Sequence, residues 1–133
     1  MKNKLLILAI GGLALSGCVS QEQVDRVMAS QREPSAAIKQ SIVKGARDYL
    51  IDQYSVRDAE ISSVTDATPN GKIQLVCVRA NTKNATGDYT GRSTISVRLI
   101  GSRAVSANPN ASACGMPLLQ WYPFPELENL KNV

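Results

Sequence analysis

Along residues 35–54 the apolar positions Ile38, Ile42, Val43, Ala46, Tyr49, Leu50 and Tyr54 recur at steps of three and four. That is the spacing of one face of a helix. Lys39, Lys44, Arg47, Asp48 and Asp52 fall mostly off the stripe. Ser35, directly after Pro34, is the expected N-cap. The period then changes. Residues 72–81, KIQLVCVRAN, set Ile73, Leu75 and Cys77 on one side and Gln74, Val76 and Val78 on the other. Apolar residues on both sides predict a central strand. Residues 92–100, RSTISVRLI, alternate cleanly, with Ile95, Val97 and Leu99 inward and Thr94, Ser96 and Arg98 outward. Shorter strands are expected at 59–64 and 103–106. Turn chemistry separates them: Pro69-Asn70-Gly71-Lys72, then Asn84, Gly87, Asp88 and Gly91 within residues 82–91, then Gly101-Ser102. Residues 107–115 form a loop that carries Cys114 toward the strand of Cys77. Pro117, Pro123 and Pro125 exclude a regular helix from the start of the tail and leave room for a short one near 126–130. The fold class this predicts is α+β: one amphipathic helix packed on a small antiparallel sheet of about four strands. A helix lying on a membrane surface is the alternative use of the stripe.

Upstream, residues 19–34 are polar, with a weak stripe of Val24, Val27 and Met28. They predict a tether, flexible or partly helical. At the start, Lys2 and Lys4 precede an apolar run over residues 5–15, followed by Ser16-Gly17-Cys18. This is the layout of a secretory signal, and the run is too short to span a membrane. Leu15-Ser16-Gly17-Cys18 resembles the lipobox of bacterial lipoproteins. The resemblance implies that Cys18 receives a diacylglycerol, that the signal is cut before it, and that the new amino group takes a further acyl chain such as palmitate. An ordinary signal peptide with a chance cysteine is the alternative. Two or more acyl chains make a stable anchor, whereas one holds only reversibly. In enteric bacteria an Asp after the cysteine tends to retain a lipoprotein in the inner membrane, so Val19 implies the outer membrane, with the domain facing the periplasm. The expected organisation is a signal peptide at 1–17, a lipidated N-terminus and tether at 18–34, and a single periplasmic domain at 35–133.

Lipidation of Cys18 leaves Cys77 and Cys114 out of three cysteines. In an oxidising compartment a Cys77–Cys114 disulfide is the first expectation, and two separate buried thiols are the alternative. Removal of Lys2 and Lys4 lowers the formal charge from +4 to +2, which argues against a nucleic-acid partner. The stretch from Cys77 through Asn84, with Gly87, Tyr89, Thr90 and Gly91, looks like a pattern in small uncharacterised exported bacterial proteins. It departs from that pattern at Val78, where a small residue is expected. This resemblance implies an exported domain and no defined activity.

The chain has no histidine. Ser-His-Asp and Cys-His systems are therefore excluded, and so is the commonest metal ligand. No cofactor, metal site or catalytic residue is expected. Carboxylate pairs remain, Asp48 with Asp52 and Asp58 with Glu60, and these define the rival reading of an envelope hydrolase. Phosphate-binding glycine loops are missing. The sequons Asn84-Ala85-Thr86 and Asn110-Ala111-Ser112 are expected to be bare. Two features suit a binding surface. One is the basic set Lys72, Arg79, Lys83, Arg92, Arg98 and Arg103 against Asp88, which can meet lipid headgroups, peptidoglycan carboxylates or an acidic partner. The other is Trp121, Tyr122 and Phe124 among prolines, which serve either as interface anchors or as a lid on a small core. Lys83, Tyr89, Arg92, Trp121 and Tyr122 are the candidate binding residues. The function expected is an outer-membrane-anchored binding or assembly module without catalysis, held to the membrane through Cys18, with an envelope protein or peptidoglycan as partner. An inhibitor or an accessory lipoprotein of a secretion machine is the alternative within that class.

Overall fold

The computed structural model describes residues 20–49 and 55–130. The signal segment, Cys18 and residues 50–54, with Asp52 and Tyr54, lie outside them. Within these bounds the order is α1 (Gln21–Ala29), α2 (Ala36–Tyr49), β1 (Arg57–Ser62), β2 (Thr65–Asp66), β3 (Ile73–Lys83), β4 (Tyr89–Ile100), β5 (Arg103–Asn108), a 3-10 turn (Ser112–Gly115), β6 (Trp121–Pro123) and α3 (Pro125–Glu128). The class is α+β with an antiparallel sheet, as expected. The counts are not: among the described residues the sheet has six strands, and three α-helices accompany it.

The sheet order is β5-β4-β3-β1-β6, with β2 also on β3. The long β3 is central, and its register with β4 runs from Ile73↔Ile100 to Lys83↔Tyr89. These strands reach further into the 82–91 stretch than the turn residues suggest. The turn itself shrinks to residues 84–88. There Asn84 Oδ1 accepts from the backbone of Thr86 and Asp88, and Gly87 takes φ 82°.

Alternation divides the sheet into two faces. On one, Ile61, Val76, Val78, Val97 and Leu99 are buried against Ile38, Ile42 and Val43 of α2. Ser35 caps that helix by accepting from the Ile38 amide at 3.2 Å. Phe124, Leu127 and Leu130 close the same core from the tail. The tail's prolines are sorted to tolerant places: Pro123 on an edge strand, Pro125 in the first turn of α3. That is how a proline-rich stretch still yields a strand that pairs Trp121 with Ser62 and Tyr122 with Ile61. β2, only two residues long, offers no periodicity to read.

The segment expected as a tether, flexible or partly helical, carries α1 and lies against the sheet over residues 30–34. Ser20 caps α1 reciprocally with Gln23, at 3.2 Å and 3.1 Å. Residues 30–34 then lie on the body. Arg32 and Val64 exchange both backbone hydrogen bonds, at 3.1 Å and 2.8 Å. Arg32 pairs with Asp66, Ser30 Oγ accepts from the Asp66 amide, and Gln31 both donates to Leu118 and accepts from Gln120. Pro34 is buried. These partners are 30 or more residues away in sequence, so residues 19–34 alone could not reveal the docking.

Cys77 and Cys114 form a disulfide, with Cα atoms 5.8 Å apart. It fastens the 3-10 turn onto the sheet face opposite α2. No helix among the described residues is long and apolar enough to cross a membrane.

Candidate functional site

The face opposite α2 carries the ionic chemistry. Register assigns its rows. Arg57, Asn81 and Arg92 stand abreast on β1, β3 and β4, and Glu60, Arg79 and Thr94 form the next row. Lys83 and Tyr89 close one end of the face, and Trp121 stands at the β6 edge opposite Ser62. A register shift between Arg57 and Glu60 keeps both residues on this face although three positions separate them. Asp58 sits in that bulge, exposed and at φ 54°.

Glu60 is the hub. Its Oε2 accepts from Nε and Nη2 of Arg79, the former at 3.0 Å, and its Oε1 meets Nη2 of Arg92 at 2.9 Å. The Arg79 hydrogen bonds hold the Glu60 carboxyl below its ordinary range against the opposing push of burial, and the charges of Arg79 and Arg92 act in the same direction as the bonds. Arg79 in turn lies over the Trp121 ring, 3.9 Å from its centroid. A second array mirrors this one. Arg57 lies 3.5 Å over the Tyr89 ring, Lys83 Nζ is 5.6 Å from the same centroid, and the Tyr89 hydroxyl donates to the Ser55 carbonyl at 2.8 Å. Ring contacts of this kind restrict the guanidinium groups that lie on them.

Lys83, Tyr89, Arg92 and Trp121, all expected as binding residues, are thus gathered on one face. Tyr122 is not among them. It pairs with Ile61 and packs against the α2-side core, with its hydroxyl donating to Gln120. Adjacent strand residues point to opposite faces, so Trp121 and Tyr122 cannot serve one flat surface together. The basic set is also divided. Lys72 and Arg103 stand at the other end of the sheet from Lys83, roughly 30 Å away at the rise of a strand. Arg57 and Glu60 join the site instead. Glu60 reads in sequence as half of a carboxylate pair with Asp58, and only the cross-strand register turns it toward arginines.

On the α2 side, an apolar cavity of about 480 Å³ lies between α2 and strands β3 to β5, lined by Ile42, Ala46, Val78, Ile95 and Val105 among others. Its described lining has no ionisable side chain. No group of three or more Cys, Asp or Glu residues among the described residues is arranged to hold a metal ion. Set against known protein families, curated proteins and solved structures, the chain matches none of them.

Proposed function

We propose that this chain is a lipid-anchored protein of the bacterial envelope whose domain binds a partner through the sheet face opposite α2 and performs no chemistry of its own. The observation that carries this reading is the array of Trp121, Arg79, Glu60, Arg92, Arg57 and Tyr89 on one exposed face, with guanidinium groups held by rings and by a shared carboxylate. Arginine and aromatic side chains fixed in this way are the usual anchors of an interface. The lipobox-like Leu15-Ser16-Gly17-Cys18 supplies the anchor, and Val19 favours the outer membrane. Anchoring confines the domain to a surface and raises its effective concentration near partners there. The hydrolase reading draws less support, because Glu60 is engaged by two guanidinium groups that oppose its taking up a proton.

Crosslinking in cells, followed by mass spectrometry of the tagged, lipidated protein, tests the reading. One dominant envelope partner, lost on Arg92→Gln and kept on Arg103→Gln, is the expected outcome. A partner unaffected by changes on this face would overturn it. The anchor has its own test. Cys18→Ser should move the protein from the membrane fraction to the soluble fraction, and a fully membrane-bound variant would remove the lipobox reading.

A further inference from the structure

Charges on the binding face alternate, and the alternation breaks at one place. Arg79 and Arg92 share the carboxylate of Glu60 between them. Beyond Arg92 come two more cations, Arg57 and Lys83, and neither pairs with a carboxylate among the described residues. Arg57 and Arg92 flank Asn81 in register, one on each neighbouring strand, so their Cα atoms stand roughly 10 Å apart. Among the described residues the nearby acids do not fill this gap. Asp58 is exposed on its bulge, and Asp88 accepts from Thr86 within its own turn. Beneath the gap Asn81 is only 9% exposed, and its Oδ1 has no hydrogen-bond partner among the described residues. Buried polar atoms without partners are rare enough to need a reason.

We propose that this gap, bounded by Arg57, Arg92 and Lys83, takes the terminal carboxylate of a peptide. The proposal rests on the binding-face reading above and names its ligand. Glu60 itself shows two guanidinium groups on this face donating to one carboxylate. Arg57 is already held over Tyr89, so its planar donors need little further ordering to grip a second one. A peptide terminus also brings an amide N–H close to its carboxylate, and a shift of the side chains that seal Asn81 Oδ1 from solvent would let that donor reach it. A nucleic acid fits less well. The rings that would stack its bases already carry Arg79 and Arg57, and Glu60 would repel its phosphates.

The test is a titration of the full lipidated chain in detergent micelles, followed by NMR of the arginine Nε–H signals. The probes are acetyl-L-Ala-L-Ala, acetyl-D-Ala-D-Ala and the carboxamide of each. Binding at the millimolar level is expected, the range of a few exposed ionic contacts. Capping the carboxylate as an amide, or Arg57→Gln, should weaken it about tenfold, which corresponds to about 1.4 kcal/mol. Arg98→Gln, on the same face but away from the gap, should leave it unchanged. Preference for the L,L peptide would point to a protein terminus and preference for the D,D peptide to a cell-wall stem peptide; either supports the proposal. Equal binding of acid and amide, or no saturable binding, would overturn it. Arg57 is exposed and outside the Glu60 hub, so its replacement should spare the fold; unchanged binding by a folded Arg57→Gln chain also overturns the proposal. If the peptides fail while the crosslinked partner still depends on Arg92, the ligand class falls and the binding face stands. If both fail, the face falls too.

Discussion

Glu60 accepts from Arg79 and Arg92 at the centre of an otherwise cationic surface, and its ionised form is what holds the two guanidinium groups together. Its folded pKa lies below the unfolded value. Its contribution to stability is therefore complete above the unfolded pKa, near 4.5, and is lost as pH falls through the folded value. Thermal melts of wild type and Glu60→Gln should differ by about 1 kcal/mol at pH 7, the scale of a partly exposed ionic group, and converge toward pH 2. An equal difference at both values would mean that Glu60 acts by shape and not by charge. The residue identities of the hub are plain in sequence. Their association is not, because Glu60 and Arg79 meet only through the pairing of β1 with β3, 19 residues apart.

At the scale of elements, α2, β3 and β4 were legible because each repeats its period over enough residues to be counted. α1 was less so. Its stripe of Val24, Val27 and Met28 is short and no residue in it is buried, and its reciprocal cap between Ser20 and Gln23 is seen in the structure. The tail hides its order differently. Phe124 sits between two prolines, is fully buried, and donates its amide to the Ala59 carbonyl where β6 hands over to α3. Phe124→Ala should therefore cost about 3–5 kcal/mol, the range for a buried aromatic, measured by urea denaturation. A loss under about 1 kcal/mol would mean that the tail is a detachable lid and not part of the core.

For the whole molecule, the disulfide joins residues 37 apart and crosses from the central strand to the loop before β6. It confines the unfolded chain and holds the 3-10 turn against the sheet. Replacing both Cys77 and Cys114 with Ser should lower stability by about 4 kcal/mol on chain-entropy grounds, read from denaturant midpoints of oxidised wild type and the double variant. Midpoints that coincide would show that the loop is held by its packing alone. The docked arm matters on the same scale. With residues 30–34 fastened at Val64 and Asp66, at most about 7 Å of extended chain separates residue 18 from the cap of α1 at Ser20. An anchored domain would thus stand close to its membrane, not at the end of a loose tether.

By itself, the sequence determined the α+β class, the central strand, the inward face of β4, the cap of α2 and the pairing of the two distal cysteines. Those features depend on local periods, cap chemistry and cysteine number, all of which are properties of short windows. Tertiary structure alone decided which residues share a face: Arg57, Glu60, Arg79 and Arg92 together, Trp121 among them and Tyr122 away from them. It also decided that residues 30–34 belong to the body and that Trp121 and Tyr122, just before Pro123, begin an edge strand. The physical reason is common to all of these. A strand's neighbours and register are set by hydrogen bonds to distant residues, and a shift of one residue exchanges the two faces of a sheet.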